Sequence, residues 1–328
     1  MDIKEFIYIT TIAREQSLKS AAGSLGVSEP TLSVFLSNLE KQLGTDLFYR
    51  EKKKLYPTQA GKIWIEMAQG VMIIHDRIYM EIKRQQNKES ITLRVAATPF
   101  RGAYLFSRIY PRFAKNYPDV RINIHELYST NLIHAVENGD VDFGLGTFKD
   151  PENGKFDYIQ TSREEIVVVL SKLHRAASWA RQGNDELPAI QIEQLMDSPF
   201  IMMSPGTTVR SITDSILKSL NLNPLILYET ANNQVVLNMV SEGFGIGFLP
   251  RTVAAKNSDI VCFKLEPSFY MHLGLIHRKG IPFSVEEEYF ACLAMEHDRK
   301  NPLYLPPDSE YSLKIYERYL KSKQKNEF

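Results

Sequence analysis

Residues 28–38 hold the densest set of side chains with a direct chemical use. Ser28, Glu29, Pro30, Thr31, Ser33, Val34, Ser37 and Asn38 share one face of a helical pattern, while Leu32, Leu36, Leu39 and Leu43 form the other. Hydroxyls and an amide on an outward helical face can exchange hydrogen bonds with base edges in a DNA major groove. Just downstream, Arg50, Lys52, Lys53 and Lys54 sit between two short extended pieces, Leu47–Tyr49 and Leu55–Pro57. Cations on such a wing suit phosphates, which give position and affinity rather than sequence information. A solvated basic loop would have the same composition, so the wing reading depends on the helices before it.

Those helices must hold the polar face outward. Ser17 is placed to cap a helix over Leu18–Leu25, in which Ala21 and Ala22 are small enough for a second helix to approach closely. Gly26 can take the left-handed conformation that ends a helix, and Val27 fills the corner. Ser28 then caps the next helix, with Pro30 in a first turn where its missing N–H costs nothing. Two helices joined by a short turn, the second with a polar N-terminal face, make a helix-turn-helix. An ordinary helical hairpin shares the periodicity; the small alanines, the glycine turn and the capped second helix favour the groove reader. Residues 1–57 are therefore expected to form a winged helix-turn-helix DNA-binding domain.

A long helical pattern follows, and 58–90 reads as a linker helix with a polar hinge at 85–90. Ile63, Met67, Val71, Ile74, Ile78 and Ile82 recur at spacings of three or four. A helix of ~30 residues is ~45 Å long, too long for a small domain to cover. Its apolar stripe is expected to pair with a second copy of itself, which would set two recognition helices roughly 34 Å apart. Packing against the chain's own C-terminal part is the alternative.

From residue 91 the character changes to βα units and a mostly parallel sheet. Strands are expected at 91–97, 120–126, 141–145, 165–170, 200–203, 225–230, 246–249, 260–265 and 271–277. Helices are expected at 103–117, 131–138, 209–220 and 233–242. Enzyme signals are weak. The Gly243, Gly245, Gly247 spacing is wrong for a dinucleotide loop, no nucleophile elbow surrounds Ser204, and His125, His134 and His174 belong to no ligand-spaced set. Glu286, Glu287 and Glu288 read as a solvated helix start. Cys262 and Cys292 are too few for a disulfide framework and read as core residues. The chain has 39 Lys and Arg against 39 Asp and Glu, so any nucleic-acid binding must be local. The first ten residues do not resemble a secretion signal and no long apolar run appears, so a cytoplasmic protein without cofactor, metal or membrane partner is expected.

Two stretches carry a family resemblance. Ser17-Leu18-Lys19-Ser20-Ala21-Ala22-Gly23-Ser24-Leu25-Gly26-Val27-Ser28-Glu29-Pro30-Thr31-Leu32-Ser33, followed by Leu39-Glu40-Lys41-Gln42-Leu43-Gly44-Thr45-Asp46-Leu47-Phe48-Tyr49-Arg50 and Pro57-Thr58-Gln59-Ala60-Gly61, resembles the LysR-type transcriptional regulators. More loosely, Asn138-Gly139-Asp140-Val141-Asp142-Phe143-Gly144-Leu145 and the glycine-rich 240–250 segment are similar to the family's C-terminal domain. The chain departs from the family at Glu29, where Gln is usual, and at Val34, where Arg is usual. A glutamate can accept from a cytosine amino group but repels phosphate.

The resemblance implies an α/β chain with three parts: the winged helix-turn-helix, the linker helix, and a two-lobed effector-binding domain like a periplasmic binding protein over 91–300. Lobe I would comprise 91–162 and 267–300, lobe II 163–266, and 301–328 would be a C-terminal tail with one helix. Ligands in such sheets sit beyond strand carboxyl ends and near helix N-termini. That places an effector against Thr98, Pro99, Phe100 and Arg101, against Ser129 and Thr130, against Gly146, Thr147 and Phe148, and against Ser204, Thr207, Thr208 and Arg210. Hydroxyls and free N–H groups suit a small organic acid, with Arg101 or Arg210 as counter-charge; plain helix caps would use the same Ser and Thr residues. The implied partners are double-stranded DNA, a small-molecule effector, a second copy of the chain in a homodimer or dimer of dimers, and RNA polymerase. Residues 1–90 carry thirteen basic against eleven acidic side chains, so one head alone would bind weakly and linked heads much better. The rivals are a two-lobed solute-binding protein without regulatory role, which leaves 1–88 unexplained, and a metabolic α/β enzyme, which lacks a clustered catalytic set.

Overall fold

Serine and aspartate caps set out the first helices of the chain. Asp2 opens α1 (Ile3–Glu15), Ser17 opens α2 (Leu18–Leu25) and Ser28 opens α3 (Glu29–Leu43), each side chain accepting a backbone N–H of the first turn. Gly26 ends α2 at φ 68°, a conformation a β-carbon disfavours, and so allows the sharp turn into α3. Ile9, Ile12, Ala21, Leu32, Leu36, Leu39 and Leu47 close a small core between the three helices. Fully burying a side chain such as Ile9 or Leu32 contributes about 1.5–3 kcal/mol. Leu43, expected on this apolar face, is exposed at the end of α3, because Gly44 turns the chain away before a neighbour covers it. A two-stranded hairpin follows, β1 (Phe48–Glu51) and β2 (Lys54–Pro57), and then α4 (Gln59–Gln85). Gly61 lets α4 start against the hairpin, where a β-carbon would overlap the Leu47 carbonyl at 1.9 Å.

The computed structural model describes residues 2–85, 91–150, 154, 156–180 and 187–326, and the chain divides into two units at residue 91. The expected hinge lies, but for Gln85, outside the described residues. The second unit is ordered by one ladder of strands. Its elements are β3 (Ile91–Ala97), α5 (Arg101–Asn116), β4 (Val120–Glu126), α6 (Ser129–Asn138), β5 (Phe143–Phe148), β6 (Phe156–Ser171), β7 (Ala189–Ile190), β8 (Phe200–Met203), α7 (Thr208–Ser219), β9 (Ile226–Thr230), α8 (Asn233–Ser241), β10 (Ile246–Pro250), α9 (Arg251–Ala254), β11 (Ile260–Arg278), α10 (Val285–Asp298), β12 (Tyr304–Leu305) and α11 (Glu310–Asn326). The strand order is β4-β3-β5-β11-β6-β10-β8-β9, with β12 beside β6 and β7 beside β11. Lobe I uses parallel β3 and β5; lobe II uses parallel β8, β9 and β10. The long antiparallel strands β6 and β11 pass through both lobes and join them.

These two strands are where the expected elements fail. The strand expected at 165–170 begins at Phe156, and the strands expected at 260–265 and 271–277 are one strand. The polar run Gln160 to Glu164 looks like a break, yet every one of these residues but Arg163 is buried, and each finds a partner across the sheet or in the tail. In β11 the pairing shifts register between Lys264 and Phe269, which interrupts the alternation without ending the strand.

Two further expectations are corrected. Glu286 and Glu287 are buried rather than solvated: Glu287 completes a capping box with Ser284 and lies 3.5 Å from the His277 Nε2. The tail is part of the fold rather than an appendage. Gln160 Oε1 accepts from the Asp308 and Ser309 N–H groups at 2.8 and 3.1 Å, and the Gln160 N–H donates to Ser312 Oγ at 2.8 Å. Ile315 and Tyr316 of α11 are buried, and Lys323 reaches Glu296 of α10 at 2.7 Å.

Candidate functional site

Two surfaces carry the candidate residues, one in each unit. In the first, α3 buries Leu32, Leu36 and Leu39 and exposes Ser28, Glu29, Pro30, Thr31, Ser33, Val34, Ser37 and Asn38. Ser28 Oγ accepts from the Thr31 N–H at 3.2 Å and lies 2.7 Å from Thr31 Oγ1, which fixes the first turn. The helix N-terminus bears a partial positive charge that favours a nearby phosphate, and Glu29 in the first turn offsets part of it. Glu40, which the sequence reading left without a role, ties α3 to the wing: its Oε1 accepts from the Leu47 and Phe48 N–H groups at 2.8 and 3.2 Å. Arg50, Lys52, Lys53 and Lys54 are all exposed on the hairpin. Its turn is formed by Lys52 and Lys53 alone, at φ 46° and 68°. A two-residue turn with both residues left-handed suits strand twist but normally recruits Asn and Gly.

Along α4 the six residues of the apolar stripe, Ile63, Met67, Val71, Ile74, Ile78 and Ile82, are all exposed, from 39% at Val71 to 61% at Met67. The N-terminal half of the helix is held to α1, with the Phe6 and Trp64 rings 6.0 Å apart and the Thr10 hydroxyl 3.7 Å from the Met72 sulfur. The stripe points away from that contact.

In the second unit a cavity of about 570 Å³ opens between the lobes. Thr98, Pro99, Phe100, Arg101, Ser129, Thr147, Thr207 and Thr208 of the expected effector set line it. Thr130, Gly146, Phe148, Ser204 and Arg210 are not among its lining residues. Phe148 is buried in the lobe I core against Tyr158, and Arg210 pairs with Asp214 at 2.7 Å and with Glu229. The hydroxyls divide into two groups. Ser129 Oγ meets Thr208 Oγ1 at 2.6 Å, Thr147 Oγ1 donates to Thr208 Oγ1 at 2.9 Å, and Thr208 Oγ1 donates to the Thr147 carbonyl at 2.7 Å. This set joins the lobes directly. Thr98 Oγ1, just before α5, is buried and has no hydrogen-bond partner among the described residues. An unpaired buried hydroxyl beside a cavity costs about 1–3 kcal/mol, which a ligand atom can recover. Next to it Phe100 takes φ 62° and ψ −71°, and the Arg101 N–H donates to the Pro99 carbonyl at 2.7 Å. That tight turn is strained for a non-glycine residue and leaves the Phe100 ring exposed at the cavity.

The sequence reading missed the opposite wall. Glu164 on β6, Asp298 at the end of α10 and Tyr304 on β12 converge on Arg101. Asp298 Oδ1 accepts from Arg101 at 2.5 Å, and its Oδ2 accepts from Ser162 Oγ at 2.6 Å. The Arg101 guanidinium lies 4.7 Å from the Tyr304 ring centre. Burial is the largest single effect and opposes the Arg101 charge, but Asp298, Tyr304 and Glu164 together outweigh it and the pKa is raised. Burial pushes the Glu164 carboxyl above the usual range, although the Thr252 N–H and hydroxyl donate to it at 2.9 and 2.5 Å. Burial also pushes the Tyr304 phenol up to about 12 and lowers the His297 pKa. A carboxylate directly before the strand expected at 165–170 was the one available signal, since an acid is seldom buried without a use for it. Among the described residues no group of His, Cys, Asp and Glu has metal-binding geometry, and no helix is long and apolar enough to cross a membrane.

Comparison with known proteins gives a family match for each unit. The family model for the LysR substrate binding domain matches residues 86–290, and that for the bacterial regulatory helix-turn-helix protein of the lysR family matches residues 3–62. The chain is 30% identical to the uncharacterized HTH-type transcriptional regulator YwbI of Bacillus subtilis, over 93% of this chain and 98% of that one. In fold it is similar to full-length OxyR from Pseudomonas aeruginosa (a cysteine-to-aspartate variant), with TM-score 0.60 and 22% identity over 90% of this chain and 98% of that one. The second unit is similar to the effector binding domain of QuiR in complex with shikimate, with TM-score 0.51 and 18% identity over 64% of this chain and 98% of that one. The family model ends at residue 290, so Asp298, Tyr304 and α11 lie beyond it.

Proposed function

The chain belongs to the LysR family of DNA-binding transcriptional regulators with a small-molecule effector domain, and from that premise we propose that it reads DNA with Ser28, Glu29, Thr31, Ser33, Val34, Ser37 and Asn38. Arg50, Lys52, Lys53 and Lys54 hold the flanking phosphates, Pro30 shapes the first turn, and the α4 stripe pairs two copies. The observation that carries this reading is the face of α3: it is polar and uncovered at its N-terminal end, on a helix whose other face is packed. Glu29 and Val34 direct the base preference away from what a Gln and an Arg would select. The protein works in the cytoplasm, where its DNA is, and its response is passed on as a change in DNA geometry or in contact with RNA polymerase.

The effector enters the interlobe cavity. Thr98 Oγ1 just before α5 supports a ligand carboxylate, as does the exposed Phe100 ring a ligand surface. The Ser129, Thr147 and Thr208 hydroxyls hold the lobes together rather than the ligand.

Fluorescence anisotropy on DNA from upstream of the gene, at fixed physiological salt, tests the first part. Ser33→Asp is expected to weaken binding at least tenfold with an unchanged melting temperature, because Ser33 is exposed on the outer face of α3. Wild-type affinity in that variant would remove α3 from the interface. Thr98→Val tests the second part: it is expected to abolish the thermal stabilisation by small acids and leave DNA binding intact, and an unchanged response would remove Thr98 from the site.

A further inference from the structure

The charges around the cavity do not cancel. Arg101 and Glu164 line its inner wall, and Asp298 stands behind Arg101 as that cation's ion-pair partner, both carboxyls only 1% exposed. Asp298 is matched: it pairs with Arg101 and accepts from Ser162. Glu164 is left with Thr252 alone as hydrogen-bond donor among the described residues, both bonds going to Oε1. The Arg101 charge reaches Glu164 as well, but Arg101 is ion-paired with Asp298, so one cation serves two carboxyls. A buried carboxylate with only a shared cation is costly and either takes up a proton or gains a charged partner. Burial raises its pKa, as that surplus requires. The rim has the opposite sign. Lys256, just past α9, and Lys300, just past α10, line the cavity, are exposed, and form no ion pair among the described residues. They approach from different lobes.

We propose that the cavity takes an amino-acid-like zwitterion, its cationic group facing Glu164 and its carboxylate facing Lys256, Lys300 and the Thr98 hydroxyl. This rests on the reading of the cavity as the effector site and narrows it. A simple organic acid would satisfy the rim and Thr98 but leave the inner surplus as it stands. A simple amine would meet Glu164 but pass two lysines with nothing to offer them. A ligand with both groups neutralises each end, and 570 Å³ accommodates a molecule of that size with room for a side chain. Arg101, expected as the counter-charge for an anion, is already committed to Asp298 and serves instead to hold Tyr304 over the inner wall. Tyr304 lies beyond the matched family region, so the C-terminal segment contributes to ligand choice.

The test is a thermal-shift and calorimetric comparison on the full-length protein. The probes are the twenty proteinogenic amino acids, each set beside its deaminated acid and its decarboxylated amine. At least one amino acid is expected to bind, at least tenfold tighter than either truncated counterpart. Glu164→Gln should lose that preference, so that amino acid and deaminated acid bind alike. Lys300→Glu, at an exposed position where folding is not at stake, should weaken the amino acid at least fivefold. Acids that bind as well as amino acids, and are lost in Thr98→Val but not in Glu164→Gln, would overturn the proposal and leave the cavity as the effector site. Failure of all twenty amino acids would overturn it as well.

Discussion

At the scale of single residues, Lys52 and Lys53 do two opposed things. Both occupy the left-handed region, which costs an L-residue roughly 1–2 kcal/mol. Both also place a cation at the exposed tip of the wing. Replacing the pair with Asn and Gly relieves the strain and removes two phosphate contacts. The double variant is therefore expected to melt higher than wild type while binding DNA more weakly, with the slope of log affinity against log salt reduced by about 2 for each bound head. Calorimetric melting and a salt titration of DNA binding check the two halves separately. A lower melting temperature would contradict the strain, and an unchanged salt slope would contradict the phosphate role.

At the scale of elements, the stripe on α4 is the clearest open surface. Ile74 and Ile78 are about half exposed, so Ile74→Glu with Ile78→Glu is expected to leave the fold of each copy unchanged and turn a dimer into a monomer in sedimentation. A dimer of undiminished stability in that variant would show that another face pairs the copies. The elements also show what was legible in the sequence. α2, α3 and their turn could be read because caps, glycine and periodicity act within a few residues of one another. The α4 stripe could be read for the same reason. β6 and β11 could not, because the buried partners of Gln160, Ser162 and Glu164 stand up to about 150 residues away in the chain, at Ser312, Asp298 and Thr252. One side of the cavity was legible by the rule that ligands meet strand ends and helix starts, which found Thr98 and Thr208 among its lining residues. The wall of Glu164, Asp298 and Tyr304 comes from a strand middle, a helix end and the tail, where that rule does not look. Arg210 satisfied the rule but finds its carboxylates on its own helix and on β9.

At the scale of the whole molecule, equal numbers of basic and acidic side chains mean that DNA affinity must come from placement and from joining two heads. Both are tested at once by cutting DNA from the proposed reading face. Ser37→Cys puts a thiol on exposed α3 for an iron chelate, while the native Cys262 and Cys292 thiols are pushed up to about 11 and about 12 by burial and stay unlabelled. With the labelled protein on its own upstream DNA, the account predicts two compact clusters of strand cleavage, each in a major groove and one or more helical turns apart, and their loss when Ser33→Asp is added. A single cluster, cleavage confined to the minor groove, or a pattern indifferent to Ser33→Asp would contradict it.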